Sequence, residues 1–452
     1  MTRFDRPTLP LENVPAGNGR IAIFFLSPRV IDFDTYLPTA MQLKEARPDW
    51  DLRFVTFNPK NYDFVAQNET LLAGLARCGQ FYYVGSADCR GRLARIVRRT
   101  RSFGRITAWI LRRPRPILFL SRPFSEFPYS VWYAFARLRG GRAYLLWKLR
   151  SPDAINRLVY RNRQPPQPRP LPWLARLRNG DQDAIIYYHD RQHEMLEASA
   201  VYGRIYNVPW YRIGLPHRFP AWRRLIEEHT ALARKHLVQD GVPADAELYC
   251  LFPPKPFSGV NVGTPGSMER GFEKVMTALA RLRPNAYILL RPHPLALDEP
   301  YIQSTVEKVG RERVRISFFH PEVLLILARR SIFNNPSNLL FSCFDARIID
   351  CTEYPDYHYS EAGRVSLAHG YGVVYVDTTA PDFEAHFARA LEDDSLFETS
   401  EAASERNALI RDNPTDLALL LAVLDGERGV LASNRRVQRE ASRQAEFVEK
   451  RE

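Results

Sequence analysis

Short apolar runs recur along this chain of 452 residues, each followed by a segment long enough for a helix. "RIAIFFLSP", "DLRFVTF", "QFYYVG" and "DAIIYYHD" lie in the first half; "AELYCLFPP", "NAYILLRPHP", "RVRISFF" and "SIFNN" lie in the second. A run of four to eight apolar residues bounded by turn signals is a strand buried on both faces. A buried strand, a helix and a second buried strand make a right-handed parallel crossover. The alternation therefore specifies an α/β chain, and 452 residues exceed a single core. Two doubly wound, Rossmann-like halves meeting at a cleft are the expected architecture.

The boundaries follow from breaks in the pattern. An extended, proline-rich lead occupies residues 1–20, and a first Rossmann-like domain follows at 21–220. A basic aromatic insert interrupts it at about 90–170, closing in the Pro-rich connector "RNRQPPQPRPLPW". "FPAWRRLIEEHTALARKHLVQDG" reads as a long helix ending at Gly241, so residues 221–242 bridge to a second Rossmann-like domain at 243–430. Residues 431–452 form a charged helical tail.

Composition narrows the setting. Hydrophobic residues at 45% and charged residues at 25% are those of a globular chain. Five irregularly spaced cysteines make no disulfide framework, which predicts a reducing compartment. "IAIFFL" is too short for a secretory signal, and "AWILRRPRPILFL" is broken by arginines and prolines before it reaches membrane-span length. A cytoplasmic protein, peripheral at the inner face of the cell membrane, is the expectation. The net charge of +12 is concentrated: Arg90 to Arg150 holds sixteen Lys or Arg residues and one acid, Glu126. Trp109, Phe119, Trp132, Tyr144 and other aromatics are interleaved with them. That mixture suits an anionic membrane surface; a solvated basic insert is the plain alternative. Nucleic acid ranks below both, since no zinc-finger spacing, RNA-binding signature or recognition helix accompanies the charge.

In open parallel sheets, ligands bind beyond the carboxyl ends of the strands. "KPFSGVNVGTPGS", with Ser258 and Gly259, follows the first strand of the second half and is rich in residues that let backbone N–H groups approach a phosphate. It is neither a Walker loop nor GxGxxG, and an ordinary flexible loop has the same composition. In "RPHPLALDE", Pro292 and Pro294 frame His293, and Arg291 supplies a cation with bidentate geometry. In "NNPSN", Ser337 and Asn338 open a predicted helix, where free N–H groups favour an anion and Ser337 serves equally as an N-cap. "YYHDRQHE" is not the HExxH metal motif and reads as structural, so no metal site is expected.

"ILLRPHP" followed by "FNNPSNLLFS" resembles the second half of a group of GT-B-fold transferases. These include the bacterial sialyl- and Kdo-transferases of surface polysaccharides and the CDP-glycerol glycerophosphotransferases. The resemblance covers roughly residues 248 to 345. It implies that His293 and Pro294 match the family's His-Pro pair, with Arg291 before it, and that Ser337 matches the serine motif. Together they would hold the phosphate of a CMP or CDP leaving group. The family's serine motif commonly has two adjacent hydroxyl residues, whereas Pro336 and Asn338 flank a single serine here. His217 in "RIGLPHRF" stands where related proteins carry a His-Gly loop, here followed by Arg218. A neutral imidazole there would deprotonate an acceptor hydroxyl; Asp32 and Asp34, otherwise helix caps, are the carboxylate alternatives.

The implied function is inverting transfer of a sialic-acid-like or Kdo-like sugar from a CMP-activated donor to a glycan or lipid-linked glycan, with no metal or other cofactor. Polyol-phosphate transfer from CDP-glycerol and UDP-sugar 2-epimerisation are alternatives on the same fold. A non-catalytic scaffold of a polysaccharide assembly complex is the alternative of another class.

Overall fold

The structure, a computed structural model, describes residues 6–10, 17–26, 31–120, 127–146, 183–188, 209–254, 267–292, 299–334, 346–352, 373–398 and 401–426. It is α/β and GT-B-like, with two separate parallel sheets. The first has the order β3-β2-β1-β4-β5-β6-β7. Its strands are β1 (Ile21–Leu26), β2 (Asp51–Thr56), β3 (Gly79–Tyr83), β4 (Ile117–Leu120), β5 (Arg142–Leu146), β6 (Ala184–Tyr187) and β7 (Trp210–Arg212). The second has the order β10-β9-β8-β11-β12-β13. It comprises β8 (Leu248–Phe252), β9 (Tyr287–Leu290), β10 (Val314–Ile316), β11 (Arg330–Phe333), β12 (Ile348–Asp350) and β13 (Val374–Tyr375). Within both sheets the paired strands run parallel. In each the strand order reverses beside the first strand, which puts a switch point next to β1 and next to β8.

The apolar runs are buried because helices cover both faces. All six residues of β1 are buried. Phe24 stacks on Phe54 of β2 at 4.9 Å and on Phe119 of β4 at 4.5 Å. Truncating such a side chain to Ala costs about 3–5 kcal/mol. Among the described residues before Pro220, the helices are α1 (Ile31–Ala46), α2 (Pro59–Ala66), α3 (Glu69–Cys78), α4 (Arg92–Arg112) and α5 (Tyr129–Leu138).

The basic stretch from residue 90 departs from the insert expected of it. It supplies α4 and α5 and two interior strands, with β4 hydrogen-bonded between β1 and β5. The arginines of α4 dominate the local composition, yet "ILFL" and "RAYLL" behind them are buried strands. The Pro-rich connector lies outside the described residues.

Helix α6 (Pro220–Gln239) links the two sheets. It packs against α1 and α3 of the first half and α9 (Pro321–Leu327) of the second. Its buried face carries Trp222, Leu225, Ile226, His229 and Ala233. One apolar core consequently runs without interruption from Phe24 and Leu37 through Trp222 to Val323 and Phe333. Helices α7 (Ser267–Leu282), α8 (Pro300–Val309) and α10 (Phe383–Glu392) cover the second sheet, followed by α11 (Ser395–Glu398) and α12 (Glu401–Asp412). The chain then returns to the first half. Helix α13 (Leu417–Asp425) buries Leu420, Val423 and Leu424 there. Tyr144 Oη donates to the Val423 carbonyl at 2.7 Å, and Asp425 pairs with Arg20 and Arg47.

Candidate active site

Four chain segments deliver ionisable side chains to the carboxyl edges of the sheets. After β7 the backbone turns at Gly214, where φ is 73°. A Cβ at Gly214 would collide with the Pro414 carbonyl. The 3₁₀ turn Pro216–Arg218 then presents His217, which is buried. After β10, Pro321 occupies the first turn of α9, where its missing N–H is not needed. His320 caps this helix: its Nδ1 accepts from the Glu322 N–H at 3.3 Å. After β1, Asp34 lies in the first turn of α1. Pro38, one turn on, has no N–H to give the Asp34 carbonyl. After β9, Arg291 is 6% exposed.

These groups meet across the two halves. His217 Nδ1 hydrogen-bonds Glu322 Oε1, and Trp222 Nε1 donates to Glu322 Oε2 at 2.6 Å. His320 Nε2 and Asp34 Oδ1 stand 3.6 Å apart, beyond hydrogen-bond range. Both atoms are buried, and neither meets a hydrogen-bond partner among the described residues. Arg291 Nε donates to the Phe319 carbonyl at 3.1 Å and Nη1 to the Pro292 carbonyl at 2.8 Å. Part of its guanidinium thus straps the β10–α9 loop to the end of β9.

Charge in this cluster is mutually supported. Burial opposes a charged His217, yet the field and hydrogen bond of Glu322, with Asp34 beyond, raise its pKa above the usual 6.5. Burial likewise opposes the Glu322 carboxylate, and His217, His320 and the Trp222 N–H outweigh it, holding its pKa below the usual 4.5. Burial lowers the pKa of Arg291, against the Cys250 thiol and the Asp34 carboxylate. A carboxylate that accepts Nδ1–H fixes the imidazole tautomer and leaves Nε2 as the proton acceptor. The pair therefore has the chemistry of an oriented general base.

A cavity of about 420 Å³, lined by His217, Glu322, Arg223, Glu227, Arg329 and Arg347, opens on one side of this pair. A second, of about 450 Å³, lies by Phe319 next to His320, with Glu69, Thr70, His236 and Phe318 among its walls. Volumes of this order suit small ligands.

Of the residues expected from sequence, His217, Asp34 and Arg291 belong to this cluster. Asp32 lies in the same helical turn as Asp34, but its side chain is outside the described residues. So are His293, Pro294, Ser337, Asn338, Ser258 and Gly259. Glu322, His320 and Trp222 were not anticipated. The signal for Glu322 was available: "PEVLLIL" holds one carboxylate in an otherwise apolar helix, and a buried charge requires a partner.

No protein-family model matches this chain, and no curated protein matches it. Among solved structures it is similar to UDP-GlcNAc 2-epimerase from Neisseria meningitidis bound to UDP-GlcNAc. That match has 11% identity over 86% of this chain and 97% of the other, with a TM-score of 0.47. It is also similar to Anabaena Alr3699/HepE in complex with UDP and glucose, at 12% identity over 94% and 99%, with a TM-score of 0.47. UGT89C1 of Arabidopsis thaliana matches at 13% identity over 92% and 98%, with a TM-score of 0.48. At this level of likeness no chemistry carries over from those proteins to this chain.

Proposed function

We propose that this protein is a glycosyltransferase that moves a sugar from a nucleotide-activated donor to an acceptor hydroxyl held between the two sheets. The observation that carries this reading is the His217–Glu322 pair at the carboxyl edges of both halves, with Asp34, His320 and Arg291 around it. His217 Nε2 removes the acceptor proton as the acceptor oxygen bonds the anomeric carbon. The carbon–oxygen bond to the donor phosphate breaks on the opposite face, and its electron pair stays with the phosphate. Glu322 acts through His217 by fixing its tautomer and stabilising the imidazolium. Arg291, His293 and Ser337, with Asn338, Ser258 and Gly259, stabilise the leaving phosphate as its charge develops. The resemblance of "ILLRPHP" and "NNPSN" to CMP- and CDP-using transferases favours a cytidine donor carrying a sialic-acid-like or Kdo-like sugar. A glycan, free or lipid-linked, is the acceptor.

Calorimetric titration with CMP, CDP, UDP and GDP, followed by a transfer assay, tests the reading. Cytidine preference and loss of transfer in His293→Ala with unchanged circular dichroism are expected. Turnover of a UDP-sugar without acceptor would make the protein an epimerase. Binding of none of the four nucleotides would leave a scaffold.

A further inference from the structure

Helix α4 turns an apolar stripe to solvent. Its buried positions are Ser102, Ile106 and Ile110, four residues apart on one face, and Trp132 Nε1 of α5 donates to its Thr107 Oγ1 at 3.2 Å. Before Ser102 every residue from 91 is exposed except the half-buried Arg98. Arg98 and Arg99 tie this end to the loop after β3 through the Gly85 carbonyl and Ser86. Leu93 is 79% exposed, Ile96 51%, Val97 48% and Leu111 40%. At 3.6 residues per turn Leu93, Val97, Gly104 and Leu111 fall on one line opposite the buried face, and Ile96 lies to one side of that line, toward Phe103. A helix facing water alone would place its charges there. Instead Arg92, four residues before Ile96, and Arg101, four residues after Val97, border the apolar surface on its two sides. Phe127, 75% exposed, stacks on Phe103 at 5.9 Å and extends the apolar surface. No Asp or Glu occurs between Asp88 and Glu126.

We propose that this face of α4 docks on an anionic lipid bilayer. Leu93, Ile96, Val97 and Phe127 enter the boundary between headgroups and acyl chains, and the bordering arginines meet lipid phosphates. Charge complementarity selects the partner: the positive rim requires anionic groups, and the apolar line between the arginines requires a surface with hydrocarbon just beneath them. A nucleic acid satisfies only the first requirement. Docking stands independently of the proposed transfer. Its position is nonetheless informative, because a helix joining parallel strands starts at their carboxyl edge. The exposed turns of α4 therefore project from the edge that bears Asp34 and His217.

Co-sedimentation of the full chain with vesicles tests the proposal, using phosphatidylcholine alone and an equal mixture with phosphatidylglycerol, at low and raised salt. The wild type should bind the mixed vesicles, bind phosphatidylcholine weakly, and weaken with salt. Combined Arg92→Gln and Arg101→Gln should reduce binding roughly 25-fold, about fivefold per arginine. Combined Leu93→Ser, Ile96→Ser and Val97→Ser should reduce it roughly tenfold or more, even at low salt. All five side chains are exposed, so circular dichroism should be unchanged. Equal binding to both vesicle types, or variants that bind as the wild type does, would overturn the proposal. So would failure to bind vesicles together with lipid-free self-association, or DNA binding, that these variants abolish.

Discussion

His217 and Glu322 lie 105 residues apart in the chain, one in the turn after β7 of the first sheet and one in α9 of the second half, and share a buried hydrogen bond whose second carboxylate oxygen is held by Trp222. The ring is thereby oriented and its basicity increased. If His217 is the base, kcat/KM rises with pH through an apparent pKa above the usual 6.5. His217→Ala should lower kcat by about 10²–10⁴-fold, the usual range for a general base. Glu322→Gln keeps the shape and removes the charge, so the acid limb should move to lower pH. A pH–rate profile of the three proteins checks both statements; an unmoved limb in Glu322→Gln would remove Glu322 from the mechanism.

The same pair makes stability depend on pH. Because the folded pKa of His217 is raised, its contribution is full below pH 6.5 and is lost as pH rises through the folded value. Because that of Glu322 is lowered, its contribution is present above pH 4.5 and is lost as pH falls through the folded value. The pair stabilises most between these limits. Urea midpoints for wild type and Glu322→Gln should differ more at pH 5.5 than at pH 8.5. His217→Ala leaves Glu322 without its main counter-charge and should cost about 3–5 kcal/mol at neutral pH.

Asp34 offers a contrasting case. Its Oδ1 makes no hydrogen bond among the described residues, so Asp34→Asn should change stability by less than about 1 kcal/mol. If its charge supports His217 and a bound hydroxyl, transfer should still fall, by roughly tenfold or more. A variant equal to wild type in both assays would place Asp34 outside the reaction.

Gly214 tests how the site is aimed. Its positive φ and the approach of the Pro414 carbonyl leave no room for a methyl group. Gly214→Ala should destabilise by about 2 kcal/mol or more and lower kcat through His217, three residues on. Denaturant melts and steady-state rates check the two effects separately.

Much of the fold was legible because its strands are buried on both faces. "IAIFFL", "YILL" and "RSIF" are short apolar runs between turn signals, the pattern of interior strands, and the structure makes each of them a strand of a parallel sheet. The central strands β4 and β5 were harder to read, because the local charge belongs to the solvent side of α4 and hides the apolar strands beside it. In the site, each chemical group could be read alone, and their partnership could not. His217 and Glu322 are brought together by the packing of α6 on α9, a tertiary event with no local signature. "HPE" reads as an ordinary helix start, and it is one, since His320 caps α9. Its depth in the cleft is set by the opposite half.

Helix α13 has a consequence for biosynthesis. The first sheet is translated early, yet Leu420, Val423 and Leu424 complete its core. Emerging from the ribosome, the amino-terminal half must wait, with apolar surface uncovered, until residue 425 has left the exit tunnel. Vectorial synthesis and completion of the first core therefore run out of step, and the long nascent intermediate is where chaperones would find their hold on this protein.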